Sequence, residues 1–290
     1  MSDRPSWLKV RANSLEMAEG MRAVRDILAT YDLTTVCQQA RCPNAAECWG
    51  LRTATFMLLG SLCTRACRFC AVPTGNPHGS VDEAEPLRVA EACRALGLKY
   101  VVLTSVDRDD LQDGGASLFA ESISQIKHAS TDIRVEALIP DFAGDEGALR
   151  KLAATSPEVI GHNLETVRRL SPLLRDSRAS YDLSLSVLNK VRQIAPQIIT
   201  KSSLMLGLGE RKSEVISALE DLRDVGVRAL TLGQYLQPSH TSAPVARYVQ
   251  PKEFASLETK ARNMGFCFVM SGPLVRSSYR AAHAIDTCSG

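Results

Sequence analysis

Apolar side chains at Met17, Met21, Val24, Leu28 and Tyr31 follow a four-three spacing that lays them along one face, which predicts a helix over 15–31. From residue 53 onward the pattern changes. Short runs rich in β-branched residues fall near 54–60, 99–104, 133–139, 158–162, 198–206 and 227–233, with a seventh at 266–270. Between them, segments of helical period are expected near 85–97, 115–129, 144–154, 164–170, 180–194, 213–225 and 251–264. Repeated βα units on this scale imply a parallel sheet, closed as a full or partial barrel or left open and doubly wound. At 290 residues the chain is long enough for one large α/β domain with a full core.

The polar residues concentrate where such a fold would place a site, in the loops that follow the strands. The first run leads into Cys63-Thr-Arg-Ala-Cys67-Arg-Phe-Cys70, the second into Ser105-Val-Asp-Arg-Asp-Asp110, and the fourth into His162-Asn-Leu-Glu165. The fifth and sixth lead into Gly207-Leu-Gly-Glu210 and Gln234-Tyr-Leu-Gln-Pro238. Each loop also has a plain structural explanation: Asp107, Asp109 and Asn163 could cap helices, and Gly207 with Gly209 could make a tight turn. Their convergence on one mouth favours a site. The glycines of Gly207-Leu-Gly209-Glu-Arg-Lys212 lack the third glycine of a dinucleotide fingerprint, so a Rossmann nicotinamide site is disfavoured.

Charge and composition remove other classes. The formal charge is +2 with well-mixed signs and no basic block, so nothing motivates a nucleic-acid partner. No apolar run approaches the roughly 20 residues of a membrane span, and Met1-Ser-Asp-Arg-Pro-Ser-Trp7 lacks the pattern of a secretory signal, so a cytoplasmic protein is expected.

Nine cysteines in such a chain read as metal or redox ligands. Six lie between positions 37 and 70, in two triplets: Cys37, Cys42, Cys48 and Cys63, Cys67, Cys70. Cys93, Cys267 and Cys288 lie apart and read as small apolar residues or free thiols. Structural zinc usually shows two C-x2-C or C-x2-H pairs, and one such pair exists here, so spacing leaves zinc and iron-sulfur both open. A triplet is one ligand short of a closed site, which suggests a centre that keeps a coordination position for chemistry.

The spacing C-x3-C-x2-C after a strand at the start of a βα series resembles the radical S-adenosylmethionine (SAM) superfamily. Cys37-x4-Cys42-x5-Cys48 and Arg276-Ser-Ser-Tyr-Arg-Ala281 narrow the resemblance to the lipoyl synthase family. So do Thr104-Ser-Val-Asp-Arg-Asp-Asp-Leu-Gln-Asp-Gly-Gly115, His162-Asn-Leu-Glu-Thr166 and Gln234-Tyr-Leu-Gln-Pro238, and the similarity runs from about Trp7 to Ala281.

The resemblance implies an α/β fold with a partial (β/α)6-type TIM barrel over 53–271. It also implies an N-terminal extension, 1–52, with a helix and the upstream cysteines on a loop, and a C-terminal extension, 272–290, both covering the barrel mouth. It implies two 4Fe-4S clusters: one on Cys63, Cys67 and Cys70 with SAM at the open iron, and an auxiliary one on Cys37, Cys42, Cys48 and Ser277, with Ser278 the alternative. Arg276 belongs to the same motif. Phe69 would border the adenine, Asn163 and Glu165 would meet the ribose and amino group of SAM, and Arg178 its carboxylate.

The implied reaction inserts sulfur at C6 and C8 of an octanoyl chain on a lysine of a lipoyl carrier domain, such as an oxoacid dehydrogenase E2 or the glycine cleavage H protein. Reducing ferredoxin or flavodoxin and a monomeric state are expected with it. A biotin-synthase-like enzyme would lack the Cys37, Cys42, Cys48 triplet and the terminal serine motif. An iron-sulfur electron carrier or zinc-stabilised binding module would have no need of an open iron.

Overall fold

Strands of this chain read as near-continuous apolar runs because parallel strands are covered on both faces. In the computed structural model, residues 5–8, 15–39, 42, 44–50 and 54–288 are described. They fall into two compact units, Ala12–Ala66 with Ala71–Ile160, and Met1–Arg11 with Cys67–Cys70 and Gly161–Gly290.

The first unit opens with α1 (Leu15–Thr30), α2 (Val36–Gln39) and α3 (Ala45–Gly50). It continues with β1 (Thr55–Leu58), α4 (Glu85–Ala95), β2 (Tyr100–Ser105), α5 (Ala116–Ala129), β3 (Arg134–Leu138), α6 (Glu146–Ala154) and the start of β4 (Val159–Gly161). β1 pairs in parallel with β2 (Thr55 opposite Val102), and β2 with β3 (Tyr100 opposite Arg134). α6 forms where Asp145 caps it, accepting from Gly147 N at 3.2 Å and Ala148 N at 2.9 Å. Val24 and Leu28 of α1 are buried, as the four-three spacing predicts.

The second unit carries α7 (Ser171–Leu174), α8 (Tyr181–Ile194), β5 (Ile199–Leu206), α9 (Lys212–Asp224), β6 (Ala229–Gln234), α10 (Pro251–Asn263), β7 (Phe268–Gly272) and α11 (His283–Cys288). β5, β6 and β7 pair in parallel. Ser180 caps α8 through Leu183 N at 3.0 Å, and Pro251 starts α10 where a missing N–H costs nothing. Across the sheet, strand order equals chain order from β1 to β7, with β1 and β7 as its ends, so the sheet is open in the manner of a partial barrel.

Three expectations are corrected. No helix forms over 164–170. Leu164, Val167 and Leu170 are buried at helical spacing, yet the backbone there zips onto β5: Leu164 N donates to Ser202 Oγ (3.1 Å), Glu165 N to Ser203 O (3.0 Å), and Met205 N to Glu165 O (2.9 Å). The upstream cysteine segment is not a plain loop, because the short helices α2 and α3 carry Cys37 and Cys48. Cys267 and Cys288 are not free thiols: they form a disulfide, with Cα atoms 5.3 Å apart, that joins the turn before β7 to the end of α11.

Candidate active site at the cysteine loops

The downstream cysteine loop starts abruptly. Leu59 and Gly60 both adopt positive φ (67° and 85°), so the chain leaves β1 in a turn rather than extending it. Leu59 N donates to the buried carboxylate of Glu85 at 2.9 Å, and burial raises the pKa of that carboxyl. Cys63 is then locked by its backbone, with Cys63 N on Pro73 O and Gly75 N on Cys63 O, both 2.9 Å.

Two arginines fix this loop to the strand ends. Arg65, 5 % exposed, sits between the first two cysteines. Its guanidinium reaches Asp141 after β3 (2.6 and 2.8 Å), Asp109 after β2 (2.7 Å) and Asp107 (3.3 Å). Burial alone would lower the Arg65 pKa, but the hydrogen bonds to Asp141 and Asp109 and the Asp107 charge outweigh it and raise it. Arg108, 2 % exposed, donates to Leu59 O at 3.3 Å and Ser80 O at 2.8 Å, the two ends of the loop, and is held by Asp110 at 2.7 Å. Thr64 adds a third tie, from its Oγ1 to Asp107 O (2.9 Å) and Asp109 Oδ2 (2.7 Å). Asp107 and Asp109 therefore clamp the cysteine loop, while the start of α5 is capped by Asp113, which accepts from Gly115 N at 3.0 Å and Ser117 N at 2.8 Å. Neither arginine's role is visible in the sequence, because hydrogen bonds that close over dozens of residues leave no local periodicity.

The remainder of the loop lies in the second unit. Arg68 N donates to Leu174 O (2.8 Å), Ala243 N donates to Arg68 O (2.7 Å), and Phe69 packs against the apolar cluster around Leu164, Leu206 and Tyr235. Two of the sulfurs accept backbone N–H groups: Cys63 from Arg65 N and Cys67 from Asp176 N, each at 3.4 Å. Cys63, Cys67 and Cys70 lie outside any disulfide, with Cys70 exposed.

This donor set fits an iron-sulfur cluster, since N–H donors stabilise negative charge on ligating thiolates. Among the described residues, no three Cys, His, Asp or Glu side chains converge as ligands of a single metal ion would.

The upstream triplet is tied to β1. Thr35, fully buried, bridges Phe56 in antiparallel fashion, and Met57 N donates to Thr34 O at 2.9 Å. The start of this triplet is thereby brought alongside the strand that feeds the downstream one. Cys42 N donates to Cys37 O (3.0 Å) and Cys48 N to Asn44 O (2.9 Å), and all three cysteines are half-buried and outside any disulfide. Residues 40, 41 and 43 lie outside the described set.

Of the other expected site residues, Glu165 adopts a positive φ of 69°, a conformation held by its two backbone bonds to β5. Asn163 is half-buried beside it. Arg178 forms a bidentate pair with Asp176 at 2.8 and 3.1 Å. Arg276 donates from Nη1 to Val275 O at 2.7 Å, and Ser277 and Ser278 follow it in half-buried turns.

Two of the polar loops are structural. Gly207 and Gly209 adopt φ of 99° and 105°, as a tight turn requires, closed by Glu210 on Gly207 N (2.7 Å) and Leu208 N (2.9 Å). Gln234 is buried, donating to Arg247 O (3.1 Å) and accepting from Val249 N (2.8 Å).

Residues 57–232 match the model of the Radical SAM superfamily. Among solved structures, methylornithine synthase superposes with a TM-score of 0.57 at 14% identity, covering 87% of this chain and 78% of that one. The FeFe-hydrogenase maturase HydG from Carboxydothermus hydrogenoformans gives 0.57 at 14%, covering 93% and 77%. At such identities these likenesses speak for the fold.

Sequence relatives are much nearer. The lipoyl synthase of Halorhodospira halophila is 52% identical over 98% of this chain and 84% of its own. That of Thermus thermophilus is 53% identical over 96% and 85%, and that of Pyrobaculum arsenaticum 52% over 100% and 97%. A likeness that spans both cysteine triplets and the terminal serine motif, on a sheet open in the radical SAM manner, leaves one conclusion: the chain belongs to the lipoyl synthase family of the radical SAM superfamily.

Proposed function

We propose that this protein converts an octanoyl chain, carried on a lysine of a lipoyl carrier domain, into the dihydrolipoyl group by inserting sulfur at C6 and C8. The observation that carries the reading is about 50% identity to lipoyl synthases over nearly the whole chain, with every cysteine of both triplets present and outside any disulfide.

Cys63, Cys67 and Cys70 would hold the 4Fe-4S cluster that receives SAM. Cys37, Cys42, Cys48 and Ser277, with Ser278 as alternative, would hold an auxiliary cluster. When bound, the first cluster and SAM supply a radical able to remove hydrogen from unactivated carbon, and the auxiliary cluster supplies sulfur.

The chain's own residues do the rest. Arg65 and Arg108 hold the Cys63 loop at the strand ends, Phe69 would border the adenine, and Asn163 and Glu165 would meet the ribose and amino group. Arg178 would reach the SAM carboxylate by exchanging Asp176 for it. Arg276 orients the serine motif. A serine alkoxide is a harder ligand than thiolate and gives the auxiliary cluster one labile corner. Electrons would come from a reduced ferredoxin or flavodoxin. The protein would act as a cytoplasmic monomer on E2 or H-protein carriers, with 1–52 and 272–290 as extensions at the mouth of a 53–271 barrel.

The test is anaerobic reconstitution, then incubation with reductant, SAM and an octanoylated lysine peptide. The expected result is about eight iron per chain, 5′-deoxyadenosine and a thiolated peptide. Tightly held zinc, or an absence of 5′-deoxyadenosine, overturns the reading.

A further inference from the structure

One buried polar chain in the second unit ends on a cysteine sulfur. His162, at the end of β4 and 4 % exposed, places Nε2 2.8 Å from the Oγ of Ser184 in α8, itself fully buried. The same hydroxyl accepts from Arg175 Nη1 at 2.8 Å. Among the described residues, the guanidinium of Arg175 is otherwise held by the Ser180 carbonyl at 3.2 Å, and its buried Nε has no partner. One hydroxyl, with one proton and two lone pairs, thus serves both neighbours.

The residues flanking Arg175 face the cysteine loop. Leu174 O accepts from Arg68 N at 2.8 Å, and Asp176 N donates to Cys67 Sγ at 3.4 Å. Arg178 braces this turn through the Asp176 carboxylate.

From this geometry we infer that Ser184 is a positioning residue for the cluster: through Arg175 it sets the Leu174–Asp176 backbone that donates a hydrogen bond to Cys67. Hydrogen bonds to ligand sulfur stabilise the more negative, reduced cluster and raise its potential. Ser184, remote in sequence from every cysteine, thereby tunes how readily the cluster accepts the electron that starts the reaction. The inference rests on the proposal that Cys67 is a cluster ligand.

The experiment is a redox titration followed by EPR. It uses reconstituted full-length protein carrying Cys37→Ala, Cys42→Ala and Cys48→Ala, so that the signal comes from the Cys63 loop alone. Ser184→Ala is expected to lower the midpoint potential and to slow SAM cleavage several-fold when reductant is limiting. Ser184→Thr, which restores a hydroxyl, should return both towards wild type. Ser184→Cys, of nearly the same volume and a weaker hydrogen-bonding partner, should shift the potential the same way by less, and it keeps the test available if the alanine variant does not fold.

An unchanged potential in the alanine or cysteine variant, with about four iron bound, overturns the inference. A loss of stability without a shift in potential does the same, since it marks a packing role only. Cys67→Ala tests the underlying reading separately: if that variant keeps its cluster, Cys67 is not a ligand.

Discussion

Arg65 Nη1 lies 2.6 Å from Asp141 Oδ2, so a residue inside the cysteine spacing is bonded to the end of a strand 76 positions away. Both side chains are almost wholly buried, at 4% and 1% exposure. Removing one partner strands the other charge, and Arg65→Leu should cost about 3–5 kcal/mol. Denaturant unfolding of the anaerobic apoprotein measures this. Combining Arg65→Leu with Asp141→Leu should cost less than the sum of the two single changes, by a wide margin; additive costs would mean that the two groups do not act as a pair.

The second clamp carries a pH signature. The hydrogen bond from Arg108 holds the Asp110 carboxyl down at about 2, against an ordinary value near 4. A depressed folded-state value stabilises the fold above the unfolded value, and that contribution fades as pH falls from about 4 towards 2. The stability gap between wild type and Asp110→Asn should therefore be constant between pH 5 and 7, shrink below about pH 4, and close near pH 2. Acid titration of both apoproteins by circular dichroism reads it.

Gly233 offers a steric test of the C-terminal motif. A Cβ at this position in β6 would lie 2.1 Å from Val275 O, a backbone atom that cannot swing aside. At its neighbour Gly272 in β7 the nearest atom is Val275 Cγ2 at 3.4 Å. Gly233→Ala should push the segment carrying Arg276 and Ser277 out of place and lower bound iron from about eight to about four per chain, with SAM cleavage retained. Gly272→Ala should keep the full complement. Iron and sulfide counting decides between these outcomes.

The Cys267 to Cys288 disulfide spans 21 positions, and Ser277 falls within them. A closed loop of this size stabilises by about 3 kcal/mol in the chain-entropy account. Cys288→Ser should lose that amount, and reductant should bring wild type to the same stability. Equal stability with and without reductant would mean that the bridge contributes nothing.

Cys93 serves as the counterexample among the thiols. Fully buried in α4, its thiol is pushed up to about 12 by burial. Alkylation of the native apoprotein should label cysteines of the two triplets and leave Cys93 unmodified, as mass spectrometry would show.

The strands and most helices were legible because burial on two faces writes an apolar run and burial on one face writes a helical period. Residues 164–170 show the limit: Leu164, Val167 and Leu170 keep the helical spacing, while the backbone bonds of Glu165 to β5 decide the structure. Periodicity reports which side chains are buried, and it says nothing about where the N–H groups go. The six clustered thiols stand out by their spacing, while their division into two ligand sets comes from the family resemblance. The Cys267 to Cys288 pair was not, since two cysteines far apart in sequence carry no sign of proximity. The roles of Arg65 and Arg108 were hidden for the same reason, their partners being set by topology. For Asp107 and Asp109 the sequence leaves helix capping and a place in a site both open, because a carboxylate after a strand looks alike in both uses; their bonds to Arg65 show a third use, as clamps of the cysteine loop.

Arg108 donates to Leu59 O and to Ser80 O, so one buried side chain fastens both ends of the cysteine loop. A loop of this length costs closure entropy only once when its ends are joined, whatever the path of the chain between them. The closure is concentrated in a single guanidinium, and one substitution at Arg108 would unfasten the loop at both ends together.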